Sequence, residues 1–214
     1  MDNYRTDDET AEVIKKWWRE NGRAVITGVV IGLAVIVGVR YWVQYNKVQS
    51  QNASILYSQV IKAMATNSVD TVLSKGQTLL KDYAGTAYAP MAAMAMAKIE
   101  TDAGKNDRAK DHLKWVVANA SDGLQHAARL RLARLLLNDD KLQEAADLLA
   151  GIKAPGYNAA YEELRADIAL AKGNATQARE LYRLAQAGAT GTKQEFLQMK
   201  IDNIAVASQA TASK

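Results

Sequence analysis

Cysteine is absent from the 214-residue chain, and proline, phenylalanine and histidine are scarce, with two, one and two copies. Without cysteine the protein forms no disulfide and performs no thiol chemistry. It also has no thiol that an oxidising compartment could damage. No alternation of Val, Ile or Thr with polar residues recurs, so the sequence excludes a sheet-rich fold and favours helices.

Residues suited to enzymatic chemistry are few and scattered. Histidine is the residue type suited to acting as a base at neutral pH, and the two histidines, His112 and His126, fall in separate helical segments. No glycine-rich phosphate loop follows a strand, and no cluster of His, Asp and Glu has metal-ligand spacing. Asp139-Asp140 is typical of a turn between helices, and Glu162-Glu163 of a solvated helix face. We therefore expect no enzyme activity, no catalytic residue, no cofactor and no metal.

The charge of the chain gives no sign of nucleic-acid binding. The net charge is +4, and residues 1–43 are balanced, so the excess lies in the remainder. Nucleic-acid-binding domains concentrate basic residues on one face, and this excess is too diluted for that.

An uncharged stretch over residues 24–39, AVITGVVIGLAVIVGV, is the strongest signal in the chain. Extended to residue 43 it forms a helix about 30 Å long, which is the thickness of a bilayer's hydrocarbon core. Trp17-Trp18 precede it and Tyr41-Trp42 end it, as in interfacial aromatic belts. Arg40 lies close enough to the end to extend its charge to the headgroups. We predict a transmembrane helix over 24–43.

Two other interpretations of this stretch are a buried core helix and a cleaved signal peptide. A core helix rarely carries arginine and paired aromatics at both ends. A signal peptide needs a small-x-small cleavage site after the apolar run, where this chain has Arg40-Tyr41-Trp42. Both are therefore less favoured than an anchor.

Basic residues before and after the stretch predict its orientation. Four lie within the nine residues from 15 to 23, whereas only Arg40 and Lys47 follow within twenty. The positive-inside rule therefore places residues 1–23 in the cytoplasm and the large C-terminal part on the other side. We expect a globular helical domain over 44–206 and a small, polar, disordered tail over 207–214.

Helical segments alternate with short breaks after about residue 65, and the breaks repeat. Residues 104–109 (GKNDRA), 140–145 (DKLQEA) and 173–178 (GNATQA) align, with intervals of 36 and 33 residues. An alanine stands twelve positions before each final alanine, and a large residue stands four positions after it. The earlier alanines are Ala97, Ala133 and Ala166, and the large residues are Leu113, Leu149 and Tyr182.

This spacing is typical of tetratricopeptide (TPR) repeats, in which small residues let two helices of a hairpin approach closely. A fourth, degenerate unit lies upstream, with Asn67 at its turn and Val60 and Val72 in the alanine positions. The usual aromatics and proline of the consensus are mostly missing. We predict an all-α fold: one N-terminal transmembrane helix, then a TPR-like α-solenoid of about four helical hairpins and a C-terminal capping helix.

Three segments together resemble a known family. These are residues 11–23, AEVIKKWWRENGR, the anchor ending in GVRYW at residue 42, and QMKIDNI at 198–204. The chain resembles, over nearly its full length, the YfgM family of Gram-negative bacteria, ancillary subunits of the SecYEG translocon.

The resemblance implies a single-pass inner-membrane protein with a cytoplasmic N-terminus and a periplasmic TPR-like domain. It implies association with the SecYEG translocon and with a membrane-anchored periplasmic chaperone of the peptidyl-prolyl-isomerase type. The implied role is passing emerging, unfolded secreted chains to periplasmic chaperones. Restraint of a cytoplasmic response regulator is a second family role. The alternative function is an envelope scaffold or stress-response regulator that acts through its TPR domain and cytoplasmic tail.

Two features of the sequence are candidates for contacts with partners. Ala24, Gly28 and Gly32 form a small stripe on one side of the anchor, where another helix could pack, although glycine is also common in membrane helices. Met91, Met94 and Met96 suit contacts with unfolded segments, although we favour core packing for them.

Alignment of the repeats also predicts the residues of an inner groove. Such a groove, apolar and charged, suits peptide recognition, although an ordinary solvated face has the same composition. The predicted groove residues are Met96, Glu100, Arg129, Leu132, Leu136, Glu162, Arg165 and Lys172.

The orientation can be tested by adding protease to intact spheroplasts. Because the positive-inside rule places the C-terminal part outside, the protease should digest the chain after Gln44 and leave the first residues protected. A fully protected C-terminal domain would overturn this orientation.

Overall fold

A computed structural model describes residues 7–212, with the side chains of 11–121 and 123–204. Residues 1–6 of the predicted cytoplasmic tail and 213–214 of the predicted disordered tail lie outside the described residues. The chain divides into two compact units, Met1–Gln51 and Asn52–Lys214, and each is considered separately. The described part contains nine α-helices and no strand.

Helix α1 spans Asp7–Ala65 and supplies all the secondary structure described in the first unit. It contains a segment long and apolar enough to cross a membrane, with a mean hydropathy of 2.2. The side chains of this segment, such as Val30, Ile36 and Trp42, are exposed within the unit. The helix continues to Ala65, as the absence of Gly and Pro from residues 39 to 75 predicts.

The second unit contains the end of α1 and eight further helices, arranged as four successive hairpins and a final helix. The pairs are α1 with α2, α3 with α4, α5 with α6, and α7 with α8. This confirms the predicted all-α architecture. The eight helices are α2 (Val69–Asp82), α3 (Tyr88–Asp102), α4 (Asn106–Asn119), α5 (Asp122–Asn138), α6 (Leu142–Leu149), α7 (Asn158–Ala171), α8 (Ala175–Ala187) and α9 (Thr192–Ala212).

The same tight turn closes all four hairpins. A residue with positive φ ends the first helix of each: Asn67 at 52°, Gly104 at 73°, Asp140 at 59° and Gly173 at 80°. The next N–H then donates to the carbonyl five residues earlier, as in a Schellman motif. These bonds are Ser68 N to Ala63 O (2.9 Å), Lys105 N to Glu100 O (2.8 Å), Lys141 N to Leu136 O (2.8 Å) and Asn174 N to Ala169 O (2.9 Å). The predicted turns at Asn67 and at Asp139-Asp140 are confirmed.

The aligned small residues are buried where the helices pack, as predicted. All six alanines of the repeat and the three large residues that follow them are almost inaccessible, and so are Val60 and Val72 of the first hairpin. Helices α2 and α3 approach closely at Gly76, where an added β-carbon would clash with Met96 Sδ. Small residues therefore set the separation of the helices.

Helix α9 covers the end of the last hairpin. Leu197, Ile201 and Ile204 are buried against residues of α7 and α8, including Ala166 and Tyr182. This confirms the predicted apolar face of a capping helix.

The backbone of α9 continues as a helix through residues 207–212, within the segment for which the sequence predicts disorder. Disorder of 207–214 stays a prediction.

Replacing Ala133 or Ala166 with Leu should destabilise the second unit, because both side chains are fully buried between packed helices. Overpacking of this kind costs about 1–3 kcal/mol, which should lower the melting temperature of the full-length protein in mild detergent. Ala118→Leu, on the exposed side of α4, is the matched control and should leave the melting temperature nearly unchanged. Unchanged melting of both buried variants would show that the repeat alignment is wrong.

Candidate interaction groove

A largely apolar groove in the described part of the second unit runs along α3. Met91, Met94, Lys98 and Asp102 line it, and their spacing places them on one face of the helix. From first to last they extend about 16 Å along the helix axis. Met94 is nearly buried and Met91 is partly exposed, so the groove offers two flexible apolar side chains about one turn apart, and the same face continues to the charged Lys98 and Asp102.

Helices α1 and α5 supply the sides of this groove. Tyr57, Ile61 and Met64 come from the last turns of α1, again at helical spacing, and Ile61 is 46% exposed. Arg131 and Arg134 come from α5. The first helices of three consecutive hairpins therefore form one groove of about 470 Å³, which we call the methionine groove.

The charges in the methionine groove are unbalanced. Its one acid, Asp102, pairs with Lys98 at 2.8 Å on an exposed part of α3. Arg131 Nη1 lies 3.7 Å from Met94 Sδ, so this guanidinium lies beside the apolar surface. Arg131 and Arg134 form no ion pair within the described residues. The groove therefore combines an apolar surface with two cations that have no acidic partner there.

None of the eight predicted inner-groove residues lines the methionine groove. Met96, Glu100, Leu132 and Leu136 are buried, with Met96 packed towards Gly76 of α2. Arg129 is partly buried on α5 and does not line the methionine groove.

The last three predicted groove residues lie around α7 and do not line the methionine groove either. Glu162 and Arg165 form an ion pair at 2.7 Å, and Arg165 also donates to the carbonyl of Leu149. Lys172 is exposed and donates to Gln143 Oε1 at 2.9 Å. A binding role for the eight predicted residues stays a prediction.

The three clustered methionines have different environments. Met96 is a core residue, as favoured from the sequence, whereas Met91 and Met94 line the groove. Within six positions of α3, methionine therefore serves both as a core residue and as part of an open surface.

Neither histidine lies beside a recognisable catalytic arrangement in the described residues. His112 lines a pocket with Glu100, and burial lowers the pKa of its imidazole. His126 Nδ1 is hydrogen-bonded to the hydroxyl of buried Tyr161 at 2.8 Å. No group of three His, Cys, Asp or Glu residues suited to a metal occurs in the described part.

In the first unit, the anchor stripe is accessible. Ala24, Gly28 and Gly32 are exposed on α1, and a β-carbon at either glycine would meet no atom within 4 Å. The stripe therefore has space for a neighbouring helix, and its role in packing stays a prediction.

Comparison with known proteins now decides the family. A family model described as a tetratricopeptide repeat-like domain matches residues 15–206. The chain belongs to this tetratricopeptide repeat-like family. The match covers both the apolar segment of α1 and all four hairpins, so the TPR-like reading of the sequence is confirmed.

Curated relatives of this TPR-like protein share the name ancillary SecYEG translocon subunit. The Escherichia coli K12 relative is 26% identical over 96% of this chain and 100% of its own length. The Aggregatibacter actinomycetemcomitans relative is 29% identical over 92% of this chain and 97% of its own. The Neisseria gonorrhoeae relative is 26% identical over 95% and 100%. The resemblance found in the sequence is confirmed; no solved structure matches the chain.

A buried carboxylate joins α9 of the TPR-like protein to α7. Glu163 is only 6% exposed and pairs with Lys193 at 2.5 Å and Lys200 at 3.3 Å. Lys200 also reaches Asp167 at 2.7 Å. The expectation that Glu163 lies on a solvated face is therefore wrong, because α9 covers it. Burial opposes ionisation of Glu163, but its two lysine partners outweigh burial and hold the pKa below its usual range.

Because the pKa of Glu163 is lowered on folding, its stabilising effect is present above the ordinary glutamate pKa of about 4.3. That contribution is lost as the pH falls through the folded-state pKa. Glu163→Gln should therefore lower the melting temperature most near neutral pH, with a difference from wild type that shrinks below about pH 4.

Glu180→Gln, at an exposed position in the middle of α8, is the control for this measurement and should have little effect at any pH. Thermal melts of the full-length protein from pH 3 to 8 give the comparison. A Glu163→Gln effect that is equal across this range would contradict the ion-pair role.

Proposed function

We propose that the protein is a non-enzymatic, membrane-anchored adaptor associated with the SecYEG translocon. The observation that carries this proposal is the near-complete coverage by relatives named ancillary SecYEG translocon subunit. Alignment over 100% of the Escherichia coli relative includes both the apolar segment and the repeats. This chain therefore has both parts, the anchor and the helical repeat domain, that an adaptor of this kind needs.

The proposed location is the bacterial inner membrane, with the N-terminus in the cytoplasm and the TPR-like domain in the periplasm. The length and hydropathy of the segment in α1 support an anchor. The excess of Lys and Arg before it supports the orientation.

The proposed role of the TPR-like domain is to pass emerging secreted proteins to periplasmic chaperones. The proposed chaperone partner is membrane-anchored and of the peptidyl-prolyl-isomerase type. The methionine groove supports such a role, because methionine side chains adapt to apolar segments of different sequence. Such contacts require no chemistry on the bound chain.

The proposal divides the contacts between the two units. The anchor stripe at Gly28 and Gly32 contacts the translocon, because its open surface admits close packing of a second membrane helix. The methionine groove contacts the chaperone, because Met91 and Met94 offer apolar surface outside the membrane.

Co-purification of the full-length protein from membranes in mild detergent tests this division. Gly28→Ile with Gly32→Ile adds bulk to the stripe without loss of hydrophobicity, so it should insert normally, lose the translocon and retain the chaperone. Met91→Glu places a charge in the groove and should retain the translocon and lose the chaperone.

Met199→Glu is the matched control for Met91→Glu, because Met199 is exposed on α9 outside the groove, and it should retain both partners. Translocon association would be contradicted if translocon subunits failed to co-purify with every one of these proteins, including the wild type. It would favour a scaffold or regulator of another envelope complex. Wild-type recovery of both partners by the glycine variant would assign association to the other unit.

A further inference from the structure

The methionine groove has features that define the chemistry of its occupant. Arg131 and Arg134 are both exposed and stand three residues apart on α5, on the same side of the helix. The acid in the groove, Asp102, is already paired with Lys98. An occupant that places carboxylates beside Arg131 and Arg134 therefore gains two ion pairs without breaking one in the groove.

The apolar part of the groove defines the other face of the occupant. Met91, Met94 and Ala95 of α3 lie between Ile61 of α1 and Leu135 of α5. A groove with α3 as its floor and a helix on each side suits a further helix that presents apolar residues at positions i, i+3, i+4 and i+7. The three-turn length of the α3 face corresponds to about eleven residues of such a helix.

We infer that the methionine groove binds an acidic amphipathic helix of a partner protein. Its apolar residues contact the methionines, and its Asp or Glu side chains at the edge of the apolar face pair with Arg131 and Arg134. The inference rests on the proposed function, in which the groove is the partner site, and adds the charge and form of the segment that it accepts. A neutral unfolded segment would leave the two guanidinium groups without carboxylate partners.

Two synthetic peptides with the same helical Leu and Met face test the inference. One carries Glu at the flanking positions and the other carries Gln, so they differ only in charge. Binding is measured by fluorescence anisotropy to the full-length protein in phosphatidylcholine nanodiscs, with empty nanodiscs subtracted. The Glu peptide should bind roughly five- to ten-fold more tightly, the size expected for two exposed ion pairs. Added salt should reduce the difference, since exposed charges are screened.

Charge variants assign the preference to the two arginines. Arg131→Gln with Arg134→Gln should make the two peptides bind equally, and Arg131→Glu with Arg134→Glu should favour a third peptide that carries Lys. The control, Lys153→Gln with Arg183→Gln, removes two exposed charges outside the groove and should keep the preference for Glu. Circular dichroism confirms that each variant folds.

Equal binding of the Glu and Gln peptides to the wild type, or failure of both to bind, would overturn the inference. A preference for Glu that survives in the Arg131 and Arg134 double Gln variant would also overturn it, as would binding to empty nanodiscs alone. These results leave the proposed function to its own test, because co-purification with the translocon does not depend on peptide charge.

Discussion

Close contact between the two helices of each hairpin is the constraint on which the second unit depends. Alanines at matching positions, such as Ala133 and Ala145 in the third hairpin, are fully buried and let the backbones approach. The left-handed residue at each turn reverses the chain in few residues and satisfies the end of the first helix. The turn occurs four times and the alanine pair three times, with Val60 and Val72 in its place in the first hairpin, and the groove and the capping helix are built on the resulting stack.

The charged contacts of the unit join helices that the small residues alone would not fix. Lys110, which is buried on α4, pairs with Asp107 at 2.8 Å and also with Asp139 at the end of α5. These two hydrogen bonds raise the pKa of Lys110, and the bond to Asp107 has the larger effect. Glu163 and Lys200 join α7 to α9 in the same way. Hydrophobic burial sets the packing of neighbouring helices, and these ion pairs add specific links between successive hairpins and the cap.

Local features could be predicted from the sequence, whereas contacts between hairpins could not. The positions of Ala97 and Asn67 follow from spacing, because a hairpin's contacts lie within one repeat. The sequence did not place Arg131 and Arg134 in the groove. Which residues line the groove depends on the angle between successive hairpins, and alignment of the repeats does not give that angle. Leu132 and Leu136, adjacent in sequence to the true groove positions, face the core. The sequence did not predict burial of Glu163 because its lysine partners come from α9, thirty and thirty-seven residues along the chain.

The central claim is that the methionine groove, rather than the capped end of the stack, contacts the partners of the TPR-like domain. Hydrogen–deuterium exchange of the full-length protein, alone and in its membrane complex, tests this claim directly. The account predicts new protection over residues 57–64, 91–102 and 131–135, the segments that line the groove. Protection confined to α8 and α9, with these three segments unchanged, would contradict it.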